Sequence, residues 1–348
     1  ATSSPDSATP ATASSAPASS RGRHDVRTAG ALMAAHERRP LLCITPAPAI
    51  DRTARVERIT HDEVLRPLEL HALPGGKGVN AARAAVALGG RVITTGLAGG
   101  HAGRWIVESL ASEGLEPHWS FAKAEARTAY VVVDEEGHSV LVYERPAVAT
   151  PDEYAAFLRL LGEQLLPRVG MAVVAGSIPA GLDTTGHGAI VEVCRKAGVP
   201  LLVDASGHGL VAALAAGPDI VKIGRVEAVE AGLVRSDANA GETAVTLVSR
   251  GARLAVVTDG AEPVAAADAE TSWRVSVPAV DAINPVGSGD SFNAAMALAL
   301  MDGADIATAL TRGVAAGSAN ALTISAASLD PAVAANLADE IEVTETRR

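Results

Sequence analysis

Two glycine-rich segments near opposite ends of the chain carry the residues with the most evident chemistry. One reads Asn284-Pro285-Val286-Gly287-Ser288-Gly289-Asp290-Ser291-Phe292 and runs into an Ala-rich, helix-like stretch. Glycines at a coil-to-helix junction let backbone N–H groups approach an anion closely, and the helix dipole adds positive potential there. Asp290 would lie beside such a phosphate cradle. Phosphoryl transfer needs donors that neutralise developing charge and a group that accepts the proton of the attacking hydroxyl. Taken alone, the segment is equally a glycine turn whose aspartate caps a helix.

The other segment reads Pro74-Gly75-Gly76-Lys77-Gly78-Val79-Asn80-Ala81-Ala82-Arg83-Ala84. Gly75 and Gly76 again allow close approach of backbone to ligand. Lys77 is a candidate cation for phosphate or substrate, and Asn80, on the first helical turn, has an amide suited to sugar hydroxyls. The P-loop spacing G-x-x-x-x-G-K-[ST] is absent, and in isolation the segment is a tight turn entering a helix.

Segments so far apart need a frame that brings them together. Strand-like apolar runs occur at Leu41–Thr45, Val92–Leu97, Ala172–Ala175, Leu201–Val203, Ile220–Ile223 and Leu254–Thr258. Helical patterns lie between them at Val79–Leu88, Gly103–Ser112, Asp152–Leu165, Gly186–Lys196 and Gly241–Arg250, with a last Ala-rich helical stretch from Ser288 to Leu322. This alternation predicts an α/β fold: a mostly parallel sheet covered by helices on both faces. Two stretches, 52–73 and 127–146, are β-patterned with no helix, and Tyr130–Asp134 with Ser139–Tyr143 reads as a hairpin. Together they predict a small antiparallel sheet that acts as a lid.

Composition sets the limits. Of 348 residues, 48% are hydrophobic, enough for a large core, while aromatics at 3% leave little for stacking on nucleic-acid bases. A net charge of −11 argues against nucleic-acid or anionic-membrane partners, and positive groups must be gathered locally to bind an anionic substrate. Cys43 and Cys194 sit in apolar contexts with no ligand spacing, which predicts buried reduced thiols. No apolar run is long enough to span a membrane, and the N-terminal stretch lacks the apolar core of a secretory leader, so a cytoplasmic protein is expected. Residues 1–39, rich in Ala, Ser, Thr and Pro, are expected to be disordered, 40–342 to form one domain, and 343–348 to be a charged tail.

The two glycine segments, in this order, resemble the two signature regions of the PfkB (ribokinase-like) carbohydrate kinases. The intervening stretches resemble that family in order: Thr45-Pro46-Ala47-Pro48-Ala49-Ile50-Asp51, Gly176-Ser177-Ile178-Pro179-Ala180-Gly181, Val203-Asp204-Ala205-Ser206-Gly207, Val221-Lys222, Thr258-Asp259-Gly260 and Gly313-Val314-Ala315-Ala316-Gly317-Ser318-Ala319. The resemblance extends from about Leu41 to Leu322 and is nearest to the branch of 1-phosphofructokinase, tagatose-6-phosphate kinase and the minor 6-phosphofructokinase. It implies a three-layer α/β/α sandwich with a β lid, ATP and Mg²⁺ as cofactors, and a phosphorylated ketohexose as acceptor. It implies Asp290 as catalytic base, with Gly287, Ser288 and Gly289 as the anion hole. It implies Asp51, Gly75, Gly76, Lys77 and Asn80 around the sugar, and Arg66, Arg127 and Ser177 on its phosphate. The nucleotide would meet Lys222, Glu227, Thr258, Gly260, Gly287, Gly289, Gly317 and Asn320, with Glu227 and Asp204 holding Mg²⁺ indirectly. A homodimer through the lid is also implied.

The sequence departs from this pattern at several points. Gly224 replaces the asparagine of Asn-x-x-Glu ahead of Glu227, Ala129 replaces an asparagine after Arg127, Val64 replaces a lysine before Arg66, His208 stands in the Ser-Gly-Glu segment, and Asp259 replaces a leucine. These losses keep two further readings open: a catalytically weak, sugar-phosphate-binding regulatory protein, and a kinase for an unphosphorylated sugar or nucleoside. A nicotinamide dehydrogenase reading rests on Gly207-His208-Gly209-Leu210-Val211-Ala212 alone and lacks the acidic residue that would hold a ribose.

Overall fold

In the computed structural model, the described residues are 39–182 and 184–348, so the disorder expected before Arg39 lies outside them. The strands in chain order are β1 (Leu41–Thr45), β2 (Ala49–Val56), β3 (Glu69–Gly75), β4 (Val92–Gly99), β5 (Glu116–Pro117), β6 (Ser120–Ala122), β7 (Arg127–Asp134), β8 (Ser139–Tyr143), β9 (Met171–Ala175), β10 (Leu201–Asp204), β11 (Ile220–Gly224), β12 (Leu254–Asp259), β13 (Glu262–Ala267), β14 (Thr271–Val275) and β15 (Val343–Arg347).

β1 shows why the sheet is sandwiched. Successive strand side chains point to opposite faces, so an unbroken apolar run must be covered on both. Leu41 and Cys43 enter one core cluster, and Leu42 and Ile44 enter the other. β9 divides in the same way, with Met171, Val173 and Ala175 on one side and Ala172 and Val174 on the other. The helices Lys77–Ala87, Gly100–Ser112, Ser288–Met301, Ile306–Ala321 and Pro331–Ala338 cover the first face. Pro151–Arg159, Gly186–Ala197, Gly207–Ala215 and Ala240–Ser249 cover the second. Cys43 and Cys194 fall in different clusters, both buried as free thiols, and burial pushes both well above the usual thiol range.

The large sheet has the order β15-β14-β13-β12-β11-β10-β9-β1-β4-β5, with β6 beside β4. Pairing is parallel from β12 through to β5. It turns antiparallel across β12–β13–β14–β15, an edge the sequence patterns did not foretell. The stretch expected as a charged tail supplies the outermost strand, pairing Val343 with Val275 and Arg347 with Thr271. An edge strand keeps one side in water, so Glu345 and Arg347 do not prevent pairing.

The lid is a separate four-stranded sheet, β3-β2-β7-β8. Its outer pairs are antiparallel as expected, and its central pair, β2 with β7, is parallel. The chain between those two strands passes through the main sheet, a crossover long enough to return in the same direction. Among the described residues, no helix is long and apolar enough to cross a membrane.

Candidate active site

Open parallel sheets place ligands beyond the carboxyl ends of their strands. Asp204 ends β10, Gly224 ends β11 and Asp259 ends β12, so polar residues from distant segments converge at one rim. The helices Lys77–Ala87 and Ser288–Met301 pack against each other at that rim, with both glycine segments at their starts.

Asp290 stands in the first turn of Ser288–Met301, 6% exposed. Its Oδ2 accepts a hydrogen bond from Asn80 Nδ2 at 2.9 Å. Burial, and then the negative charge of Asp204, push its carboxyl up to about 7, against the pull of Asn80, Lys77 and Lys222. Gly287 precedes the helix with φ 85°, and a Cβ there would lie 2.9 Å from both Ala326 Cβ and Ala327 N, so glycine is required. The Ser288 N–H bonds to Pro285 O, and that of Ser291 to Gly287 O. Among the described residues, the N–H groups of Gly287, Gly289 and Asp290 have no acceptor. Of the three residues expected to line an anion hole, Gly287 and Gly289 thus keep a free N–H and Ser288 is engaged within the turn, while the Asp290 N–H is also free.

Beneath this junction lies a buried charge cluster. Asp204, 1% exposed, takes Lys77 Nζ on Oδ1 at 3.1 Å and Lys222 Nζ on Oδ2 at 3.0 Å. Asn293 Nδ2 also reaches Asp204 Oδ2, at 2.8 Å. Burial alone would raise the Asp204 carboxyl, but Lys222, Lys77 and the Asn293 bond hold it well below the usual carboxylate range. A Cβ on Gly289 would lie 2.5 Å from Lys222 Nζ, so this glycine makes room for the ammonium under the free N–H groups. Lys77 Nζ also contacts Glu227 Oε1 at 3.3 Å. Glu227 folds back to accept the Gly224 N–H on Oε2 at 3.0 Å, and a Cβ at Gly224 would sit 3.1 Å from that oxygen.

Asp204 and Glu227 are not arranged as direct Mg²⁺ ligands, whereas the indirect role expected of them needs only the second lone pairs of their oxygens. Every oxygen of the two carboxylates already receives a hydrogen bond, three of these from ammonium groups. Among the described residues, no group of three or more His, Cys, Asp or Glu is placed to hold a metal ion.

On the lid side, Asp51 and Arg127 share a face of the sheet, since Ala49 pairs with both Gly75 and Arg127 and Asp51 lies two residues on. A Cβ on Gly75 would lie 2.2 Å from the Asp51 carboxyl, so the glycine yields its place to that side chain. Burial raises the Asp51 carboxyl, and the charges of Arg83 and Arg127 draw it back. Arg127 is half-buried, donates to Glu144 O at 3.4 Å, and has a buried Nε with no partner among the described residues. Ser177 lies exposed just past β9. Arg66 lies exposed in the loop between β2 and β3, and no contact ties it to Asp51 or Asp290.

Of the residues expected to meet a nucleotide, Thr258 bonds through Oγ1 to Ile223 O at 3.4 Å, and Gly260 turns the chain with φ 62°. Asp259, in place of the expected leucine, pairs with Arg225 at 2.6 Å. Two further residues expected there, Asn320 and Gly317, have structural duties. Asn320 is fully buried, its Nδ2 bonded to Val286 O and Ser288 Oγ and its Oδ1 to the Ala327 N–H, so it holds the junction in shape. Gly317 lets two helices meet, since a Cβ there would lie 3.1 Å from Ser288 O.

The family model described as pfkB family carbohydrate kinase matches residues 41–332. The chain belongs to this family. This pfkB-family protein is a sugar kinase, and its fold is shared with solved relatives. Phosphofructokinase-2 from Escherichia coli, solved in complex with potassium, is 28% identical with a TM-score of 0.79, covering 87% of this chain and 98% of its own. A Thermotoga maritima protein described as a possible 1-phosphofructokinase is 22% identical with a TM-score of 0.77, over 88% and 99%. Ribokinase from Arabidopsis thaliana is 21% identical with a TM-score of 0.67, over 86% and 98%.

Sequence reasoning about this kinase missed two residues. Arg83 grips Glu113 through Nε at 2.6 Å and Nη2 at 2.9 Å, holds Pro74 O at 2.7 Å and meets Asn80 Oδ1 at 3.4 Å. It thus orients the amide that donates to Asp290. Asn293 is the other. Each stands three residues beyond a residue already singled out, Asn80 or Asp290, on the same helix face, and that spacing was the available signal.

Proposed function

We propose that this kinase transfers the terminal phosphoryl group of ATP to a hydroxyl of a phosphorylated ketohexose. One observation carries the reading: a buried carboxyl poised near neutrality, Asp290, directly beside free backbone N–H donors at a helix start. The hydroxyl oxygen attacks the γ-phosphorus, its O–P bond forms as the bond to the ADP oxygen breaks, and the proton passes to Asp290. The N–H groups of Gly287, Gly289 and Asp290 receive the charge of the transferring group, with the Lys222 ammonium behind them. A divalent cation bound together with the nucleotide would supply further neutralisation of the phosphate charge. Thr258 and Gly260 line the nucleotide side.

Arg127 and Asp51 favour a phosphorylated acceptor. A half-buried guanidinium with an orphaned Nε beside a hydroxyl-binding carboxylate is suited to a sugar that carries its own phosphate. Phosphofructokinase-2 from Escherichia coli has been solved with fructose-6-phosphate. Coupled ADP release, measured over fructose 1-phosphate, fructose 6-phosphate, tagatose 6-phosphate, free hexoses and nucleosides, tests the proposal. Turnover only with the unphosphorylated acceptors, or with none, overturns it. Arg127→Ala is expected to raise KM for the sugar phosphate by roughly 10–100-fold, the size of a lost charged hydrogen bond, and to leave nucleotide affinity unchanged. Equal loss of both affinities in a binding titration contradicts this role.

The lid also presents a surface suited to a second copy of the chain. Arg52 pairs through Tyr130 to Val142, and Ala54 through Val132 to Val140 and across to Leu70. Leu70, Tyr130, Val140 and Val142 therefore share the face opposite Asp51, and they are 56%, 41%, 44% and 55% exposed. A homodimer would cover them. Sedimentation velocity should show a dimer that Val142→Asp converts to monomer; a monomeric wild-type protein at micromolar concentration removes the idea.

A further inference from the structure

The Lys77 ammonium bridges two carboxylates drawn from different strands, Asp204 at the end of β10 and Glu227 just past β11. Its placement is built in. Gly76 enters the helix with φ 114°, and a Cβ there would lie 2.6 Å from Thr45 Cγ2, so the turn delivers Lys77 at a fixed point. The Lys77 stem lies close to Gly176, where a Cβ would meet Lys77 Cβ at 3.7 Å.

We propose that the Lys77 ammonium is the resident cation of the Asp204–Glu227 pair, so that the nucleotide-free protein has no divalent-metal site there and loss of the ammonium opens one. Geometry supports this. Asp204 Oδ1 and Glu227 Oε1 stand 3.1 and 3.3 Å from a single nitrogen, the spacing of N–H···O bonds, whereas Mg²⁺ draws its oxygens to about 2.0–2.1 Å. Charge supports it as well. Two carboxylates already face two ammonium groups, Lys77 and Lys222, and a dication between them would meet both at close range. The consequence is an order of arrival: metal reaches the site with ATP and not before it. Nothing here depends on which sugar is the acceptor, because the claim concerns the protein without nucleotide.

Titration of the full chain with Mn²⁺ alone, followed by electron paramagnetic resonance and calorimetry, tests it. Wild-type protein should show no Glu227-dependent site. Lys77→Met, which keeps the stem and removes the charge, should bind one Mn²⁺ roughly tenfold more tightly or better, and adding Glu227→Gln should abolish that gain. Lys77→Met binding Mn²⁺ no better than wild type overturns the proposal. So does a single Mn²⁺ bound by wild type and lost in Glu227→Gln, an arm that holds even where Lys77→Met fails to fold.

Discussion

Asp290→Asn should lower turnover by roughly 10²–10⁴-fold, the usual contribution of a positioned general base. The substitution keeps the shape and still accepts the Asn80 amide, so it removes the proton acceptor and little else. In the wild-type enzyme, turnover should fall as pH drops below about 7, where burial and Asp204 have placed the Asp290 carboxyl. The same residue has an opposite effect on stability. Its folded value lies above the ordinary 3.8, so the folded state binds the extra proton between those limits. Stability contributed by this group therefore declines as pH rises through that window, and the loss is complete above about 7. An amide carries no charge at any of these pH values, so the Asp290→Asn variant should melt higher than wild type at pH 8, with the gain fading toward pH 4. Near-normal turnover in the variant rejects Asp290 as base. Lost turnover together with lost thermal stability at pH 8 points instead to a damaged fold.

Asp204→Asn should destabilise the protein by roughly 3–5 kcal/mol, the cost of breaking a buried ion pair from one side. The variant leaves Lys222, 5% exposed, without its counter-ion and Lys77 with Glu227 alone. Folded Asp204 lies below its ordinary 3.8 because the two ammonium groups and Asn293 outweigh burial. Its stabilising share is thus fully present above that value and disappears as pH falls beneath it. Denaturant unfolding at pH 7 measures the effect, and a change under about 1 kcal/mol, within the range of ordinary surface substitutions, removes the central role given to this carboxylate. The double change Asp204→Asn with Lys222→Met should recover part of the loss, because the stranded charge goes with its partner.

The junction at Asp290 and the turn at Asn80 were legible in the sequence because their meaning is local. Glycines before a helix announce a backbone that comes close to something, and a polar residue on the next turn announces what it does there. The alternation of apolar runs was equally legible, since strands such as β1 and β9 that are apolar on both faces must be covered on both. The edge β13–β15 was not, because an edge strand tolerates charge and carries no unbroken apolar run.

The sequence alone determined the layered α/β frame, the lid, and the pairing of a glycine-rich helix start with an aspartate. Only the tertiary structure decided what the neighbouring charges do. Lys77 and Glu227 are 150 residues apart, and Lys77 and Asp204 are 127 apart. Whether an ammonium or a metal neutralises those carboxylates is settled by distances of an ångström across the sheet rim. The same holds for Arg83: its spacing marks Asn80 as a neighbour, but only the fold carries Asn80 to Asp290. Local pattern fixes which backbone can form; Coulomb forces fall with separation in space, and separation in space is a property of the folded chain.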